Sequence, residues 1–415
     1  MGDTSHVVMV VDFFSPEPGN RARRMYEIAE ELVAEGFKVT VLAPARDGHA
    51  TDITHGEIRV IRVPPMFRRV YPSMQYQVKS VSSYLGRMAR PLLGYIRWVI
   101  PAARVAHRLD DKAVLYTPNN PILLHVIGLM VRVKFSRWVV ELRDPLVNYE
   151  AHRLGAWAFF LPLLESLVVR KSDLVMLRHG LQVSAGELKR RYPHQSTKIR
   201  ELPDYGIGRK DRMFLSSLKR ANKMPERPLY GMYAGNFYAR SSPREILDAI
   251  SEINRDSRRV HVDFFGGWEP DLAAHGNGWD HHGVVPFDVI RERYRNVDFT
   301  IVIGATETGT EHQFLPSKLV ELIVAGKPIL VLGDGDSLVA QKVVDNGYGT
   351  ACPFSGPGIR QGILNIIAMV EGGRYNEAGR QEFVHSLDIE SYGTRFVQAI
   401  RDVTRAAVPT QSSGS

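Results

Sequence analysis

A chain of 415 residues is too long for one ordinary hydrophobic core, and 44% hydrophobic with 24% charged residues is the composition of a soluble globular protein, so two domains are expected. The lone Cys352 excludes an internal disulfide and a multi-cysteine metal site. A net charge of +8 raises nucleic acid as a partner, yet no groove motif with stacking aromatics is recognisable, so none is expected.

The excess charge is concentrated. Residues 58–109 contain no Asp or Glu and hold Arg59, Arg62, Arg68, Arg69, Lys79, Arg87, Arg90, Arg97, Arg104 and Arg108, whereas the rest of the chain carries 43 basic against 45 acidic residues. The same segment has Met66, Phe67, Tyr71, Tyr76, Tyr84, Tyr95 and Trp98, a mixture suited to an anionic lipid interface; the alternative is a solvated basic face beside a buried helix. Arg97 and Arg104 interrupt the most apolar stretch, 91–109, so no bilayer span is expected. The start MGDTSHVVMVVDFF has neither a basic n-region nor a small-residue cleavage pattern. These features predict a cytoplasmic protein held peripherally at the inner face of the plasma membrane.

In chain order, HVVMVVDFF, a helix over about 22–35 and KVTVLAP make a βαβ opening. IRVIRV, AVLYTP, RWVVELRD and DLVMLRH continue the alternation, which predicts a parallel sheet covered on both faces. The polar stretch 206–227 reads as a linker. PLYGMYAGN, HVDFFGG, DFTIVIGA and PILVLGD, with helices after Pro243, Pro286, Pro316 and Ser337, predict a second doubly wound domain over 228–385. A C-terminal helix at 386–407 is expected to pack back on the first domain (1–205), with a disordered tail at 408–415. The fold class is α/β, two Rossmann-like domains facing across a cleft that receives the carboxyl ends of both sheets.

Those strand ends hold the candidate site. Gly19 and Asn20 in FFSPEPGNRARR stand where helix N–H groups hold an anion, with Arg21 and Arg24 close by and expected to contact the acceptor; a tight turn alone is the competing reading. The incomplete G-x-G-x-x-G argues against a dinucleotide enzyme. In TETGTEHQFLPSKLVELIVAGKPILVLGD a polar loop enters a helix opened by Pro316 and closed by Gly326, placing Ser317 and Glu321 on one face and Lys318 on the first turn. A diphosphate on Lys318 and a ribose on Glu321 suit this arrangement; a surface ion pair between the two is the alternative. Glu141, Arg143 and Asp144 end a strand and are expected to point at the cleft, Arg143 and Asp144 either binding an acceptor or pairing together. The histidines show no metal spacing: His281 and His282 are adjacent and His275 sits in a Gly-rich loop, so no metal is expected.

PSKLVELIVAGKPILV resembles the nucleotide-sugar motif of family 4 retaining glycosyltransferases of the GT-B fold, in the branch assembling O-antigens and capsular polysaccharides. WVVELRDPLVN at 138–148, YTPNNPILLHVIGLMVR at 116–132, YAGNFYARSSPREIL at 233–247 and HHGVVPFDVIRERYRNVDFTIV at 281–302 follow in that family's order and spacing. The resemblance implies that Glu321 holds the ribose, that Lys318 and Arg240 face the diphosphate, that backbone at Val284 and Val285 reads the base, and that Gly19 approaches the phosphates. It also places Asn236, Gly266, Gln313, Phe314, Leu315 and Ser317 around the donor. Departures are specific: Gln313 stands for the first Glu of the family's paired-glutamate motif, with Glu311 displaced by two, Asn236 for a phosphate-binding Arg, and Asn119 and Asn120 for a histidine-containing stretch. These four positions other than Asn236 are the candidates near the reacting sugar.

The expected function is transfer of a hexosyl or N-acetylhexosaminyl group, with retention, from a nucleoside diphosphate sugar carrying UDP to a lipid-linked or saccharide acceptor in surface polysaccharide synthesis. No cofactor is expected, the nucleotide sugar being a substrate. Two alternatives stay open: a UDP-N-acetylhexosamine epimerase on this fold, and a non-enzymatic scaffold of a membrane complex.

Overall fold

A computed structural model describes residues 5–15, 17, 20–45, 51–66, 97–118, 123–142, 160–178, 185–202, 207–218, 227–237, 242–257, 259–267, 272, 275–304, 317–390 and 392–405. The chain forms two compact units, one from residues 1–204 and 392–415, the other from 205–391.

The first unit has an eight-stranded sheet, β3-β4-β2-β1-β5-β6-β7-β8. Its strands are β1 His6–Val10, β2 Lys38–Pro44, β3 Thr51–His55, β4 Ile58–Val63, β5 Val114–Pro118, β6 Arg137–Leu142, β7 Leu174–Arg178 and β8 Ile199–Leu202. All pair in parallel except β3 with β4. The central strands are unbroken apolar runs because helices cover both faces, as HVVMV of β1 illustrates with five buried residues. The helices are α1 Asn20–Ala34, α2 Leu123–Val131, α3 Leu161–Lys171 and α4 Ala185–Arg191, with a helical stretch at 97–106.

The second unit has a seven-stranded sheet, β11-β12-β10-β9-β13-β14-β15. Its strands are β9 Leu229–Ala234, β10 Val260–Phe265, β11 His275–Gly276, β12 Trp279–His281, β13 Phe299–Ile303, β14 Ile329–Leu332 and β15 Gly349–Cys352. Only β11 runs antiparallel to its neighbour. Its helices are α5 Arg209–Ser216, α6 Pro243–Ile253, α7 Phe287–Arg293, α8 Ser317–Ala325, α9 Leu338–Val344, α10 Gly356–Glu371 and α11 Glu377–Glu390. A last helix, α12 Tyr392–Arg405, belongs to the first unit.

Two sequence expectations change. The stretch 206–227 is not linker throughout: Ile207, Phe214, Leu215 and Leu218 pack into the second unit's core, and Asp211 accepts from Arg291 Nη1 of α7 at 2.7 Å. Its apolar residues recur at helical spacing, which the surrounding basic residues mask. The single helix expected at 386–407 is instead two, α11 and α12, split between the units; the tail at 408–415 lies outside the described residues. Strands β3, β8, β11, β12 and β15 were also not expected, being exposed, short or poor in apolar residues.

Candidate functional site

Both sheets have the strand order 3-2-1-4-5-6 in their central parts, so the order reverses between β1 and β5 and between β9 and β13. Ligands of open α/β sheets bind at the carboxyl side of that reversal. In the second unit, β9 runs directly into Gly235 and Asn236. Gly235 N–H donates to the Phe265 carbonyl at 2.9 Å, Asn236 Oδ1 accepts from Gly267 N–H at 2.8 Å, and Tyr233 Oη donates to the Asn236 carbonyl at 2.9 Å. Gly266 N–H donates to the Gly283 carbonyl at 2.8 Å. The ends of β9, β10 and β12 are thus latched together by main-chain bonds. Gly266 has φ of 123°, and a Cβ there would overlap the Gly235 carbonyl, so only glycine lets these loops meet.

The first turn of α8 reaches the same place. Lys318 Nζ lies 4.7 Å from the centroid of the Tyr233 ring, and a Cβ on Gly235 would stand only 2.9 Å from it. The missing side chain of Gly235 makes room for the ammonium. Burial lowers the Lys318 pKa to about 8, against the opposing pull of Glu321. Glu321 is itself buried, at 8% exposure, one turn further along α8. A cation resting on an aromatic ring, beside the amide-rich start of a helix and a glycine-lined strand end, suits a diphosphate. Val284, 73% exposed, and Val285, packed against the core, follow Gly283 on the third loop. Lys318, Asn236, Gly266 and Gly283 are therefore brought together; of Ser317 the backbone is described, at the start of α8. Gly19, Asn119, Asn120, Arg143, Asp144, Arg240, Glu311, Gln313, Phe314 and Leu315 lie outside the described residues.

In the first unit the outcome differs. Arg21 is half-buried in the opening turn of α1. Arg24, grouped with it as an acceptor contact, is 2% exposed and donates through Nη2 to Glu141 Oε1. Tyr116 Oη donates to the other oxygen, Glu141 Oε2, and the guanidinium stacks 4.6 Å from the Tyr392 ring centroid. Burial works against the Arg24 charge, but Glu141 outweighs it and holds the pKa above its ordinary value; burial raises Tyr116 well above the usual phenol. Arg24 and Glu141 are therefore buried partners of one another within the first unit. Part of the basic segment is likewise used internally: Arg59 pairs with Asp52 at 2.5 Å, Arg62 with Glu17 and with the Phe14 and Ser15 carbonyls at 2.9 Å each. Trp98 is fully buried, its indole N–H donating to the Val63 carbonyl at 3.0 Å. Arg62 and Trp98 are thus taken up in packing within the unit, whereas Arg59 stays half-exposed; 67–96 lie outside the described residues.

Sequence reasoning passed over Tyr233, the platform for Lys318, although it stands two residues before Gly235 in the quoted YAGN segment. It also passed over Tyr116 and Tyr392, which complete the Arg24 cluster and carried no signal beyond apolar spacing.

No protein-family model matches this sequence, and no curated protein matches it. Solved structures do. Sucrose-phosphate synthase from Thermosynechococcus elongatus superposes with a TM-score of 0.63 at 16% identity, over 97% of this chain and 100% of that one. WaaG, a glycosyltransferase involved in lipopolysaccharide biosynthesis, gives 0.56 at 16%, over 95% and 99%. The trehalose-6-phosphate protein from E. coli bound with UDP-2-fluoro glucose gives 0.58 at 10%, over 97% and 99%. With two Rossmann-like units and these likenesses along nearly its whole length, the chain has the GT-B fold of glycosyltransferases.

Proposed function

We propose that the chain is a glycosyltransferase that moves a sugar from a nucleoside diphosphate sugar, with UDP as the nucleotide, onto a lipid-linked or saccharide acceptor in surface polysaccharide synthesis, with retention as in family 4. The observation that carries this reading is Lys318, seated on Tyr233 in the space left by Gly235 at the reversal point of the second sheet. A nucleotide sugar with this fold is represented by the UDP-2-fluoro glucose bound to the E. coli trehalose-6-phosphate protein.

In this reading 228–385 is the donor domain and 1–205 the acceptor domain. Lys318 and Arg240 neutralise the diphosphate, Glu321 accepts from the ribose hydroxyls, and the main chain at Val284 and Val285 reads uracil. Asn236 and Gly266 shape the phosphate cradle with Gly19. Ser317, Phe314 and Leu315 line the approach to α8, and Asn119, Asn120, Glu311 and Gln313 surround the transferred sugar. Arg21, Arg143 and Asp144 remain for the acceptor. The chemistry asked of the protein is stabilisation of the departing nucleotide by fixed positive charge and helix amides. Membrane attachment at the inner face of the plasma membrane rests, in this reading, on 67–96 together with exposed basic residues such as Arg104 and Arg108.

Calorimetric titration with UDP, GDP, TDP and CMP tests the donor site: saturable binding of UDP, weakened at least about tenfold in Lys318→Ala by loss of a charge-assisted contact, is expected. Absence of binding by all four removes the assignment. Incubation with UDP-N-acetylhexosamine alone separates the reactions, because an epimer appearing without acceptor assigns an epimerase instead.

A further inference from the structure

A second polar cluster lies at the edge of the β10, β12 and β11 part of the second sheet. Register places Asp280 opposite both Asp263 and His275, so the three side chains form a row across the strands. His261, two residues before Asp263 in β10, shares that face. Asp280 Oδ1 accepts from His275 Nδ1 at 2.7 Å, and Asp280 Oδ2 lies 3.1 Å from His261 Nε2. The same nitrogen is 3.9 Å from Asp263 Oδ1. Asp263 has no exposure; its Oδ1 accepts from His282 Nε2 at 2.6 Å and its Oδ2 from Arg293 Nε at 2.7 Å.

Two carboxylates facing each other on neighbouring strands repel, and burying one of them raises the cost. Arg293 balances one negative charge. With neutral imidazoles the group of Asp263, Asp280 and Arg293 retains another among the described residues, and a cation among His261, Asp263 and Asp280 would supply the balance. One ligand atom from each of these three lies within 4.8 Å of the other two. Two atoms bound at about 2.1 Å to a tetrahedral ion stand about 3.4 Å apart, a value bracketed by the spacings of 3.1 and 3.9 Å. The outer partners are those that orient metal-bound carboxylates elsewhere: His275 on Asp280, and His282 with Arg293 on Asp263. Asp280 and His282 are each 36% exposed, which leaves a solvent route into the site.

We propose that His261, Asp263 and Asp280 bind one Zn²⁺ ion, which clamps the β11–β12 edge to β10. The mixed nitrogen and oxygen set selects zinc over Mg²⁺ and Ca²⁺, which favour oxygen ligands alone. His282, which stacks on Phe265 with ring centroids 4.7 Å apart, directly precedes the Gly283 turn, so the ion steadies the loop that continues to Val284 and Val285. The site is independent of the nucleotide-sugar reading.

The test is calorimetric titration of Zn²⁺ into the full chain after exhaustive chelation, with Mg²⁺ and Ca²⁺ as comparisons. One saturating equivalent of zinc and a raised unfolding temperature are expected, with neither produced by the other two ions. His261→Ala and Asp280→Asn should each weaken that equivalent at least tenfold, and His275→Ala, at an exposed position that only orients Asp280, about tenfold. Co²⁺ absorption should report a nitrogen and oxygen tetrahedral site that is lost with His261→Ala. Zinc that fails to saturate the unaltered chain overturns the proposal, as does an equivalent retained at full affinity in His275→Ala and Asp280→Asn, which would place the ion elsewhere among the 14 histidines.

Discussion

Lys318 links pH to the proposed activity. Its pKa of about 8 lies below the ordinary 10.5, so the folded chain holds the proton less tightly than the unfolded one. The sign follows: Lys318 alone makes the free protein more stable as pH rises from about 8 toward 10.5. A bound diphosphate reverses the preference by favouring the ammonium. UDP affinity is therefore expected to fall between about pH 7 and about pH 9, with proton uptake on binding at the higher value, both measurable by titration calorimetry in buffers of different ionisation enthalpy. In the first unit, Glu141→Gln strands the buried Arg24 guanidinium and is expected to cost about 3–5 kcal/mol in urea unfolding. Residue spacing does not show that Arg24 and Glu141 pair, because that depends on how α1 packs against the strand order of the first sheet.

At the scale of elements, legibility tracked length and periodicity. Helix α8 was readable from Pro316, from Gly326 and from the apolar run between them, and Gly326 indeed ends it with φ of 69°. Strands such as β2 and β4 were readable from runs of six or seven residues rich in Val and Ile. By contrast β11 and β12 have two and three residues, too few for any period to appear, and their histidines and aspartates converge only through register. Lys318 and Tyr233 meet through the packing of α8 against the end of β9, which residue spacing does not encode either. The loop junction at Gly266 yields a direct expectation: Gly266→Ala forces both a strained φ and an overlap with the Gly235 carbonyl. It should cost about 1–3 kcal/mol in denaturant unfolding and loosen the junction between the ends of β9, β10 and β12. In α12, Phe396 is fully buried and meets Tyr116 edge-on at 5.0 Å; Phe396→Ala is expected to cost about 3–5 kcal/mol.

For the molecule as a whole, the division of labour between units is itself testable. Lys318, Glu321, Asn236, Gly266 and Val284 all come from the continuous stretch 205–391, which has its own core. That fragment is expected to fold alone, to unfold cooperatively and to retain UDP binding within about tenfold of the full chain. Transfer should be absent from it, because Arg21 belongs to the other unit.

The first unit, in contrast, is assembled from both ends of the chain. Tyr392, which the Arg24 side chain stacks against, and Phe396, against Tyr116, are synthesised only after the entire second unit has been made. During synthesis the earlier-made portion waits with an open apolar seam and an incompletely walled arginine, a window in which aggregation competes with completion. Elongation speed through the second unit thus bears on yield, and removal of α12 would leave that seam permanently uncovered.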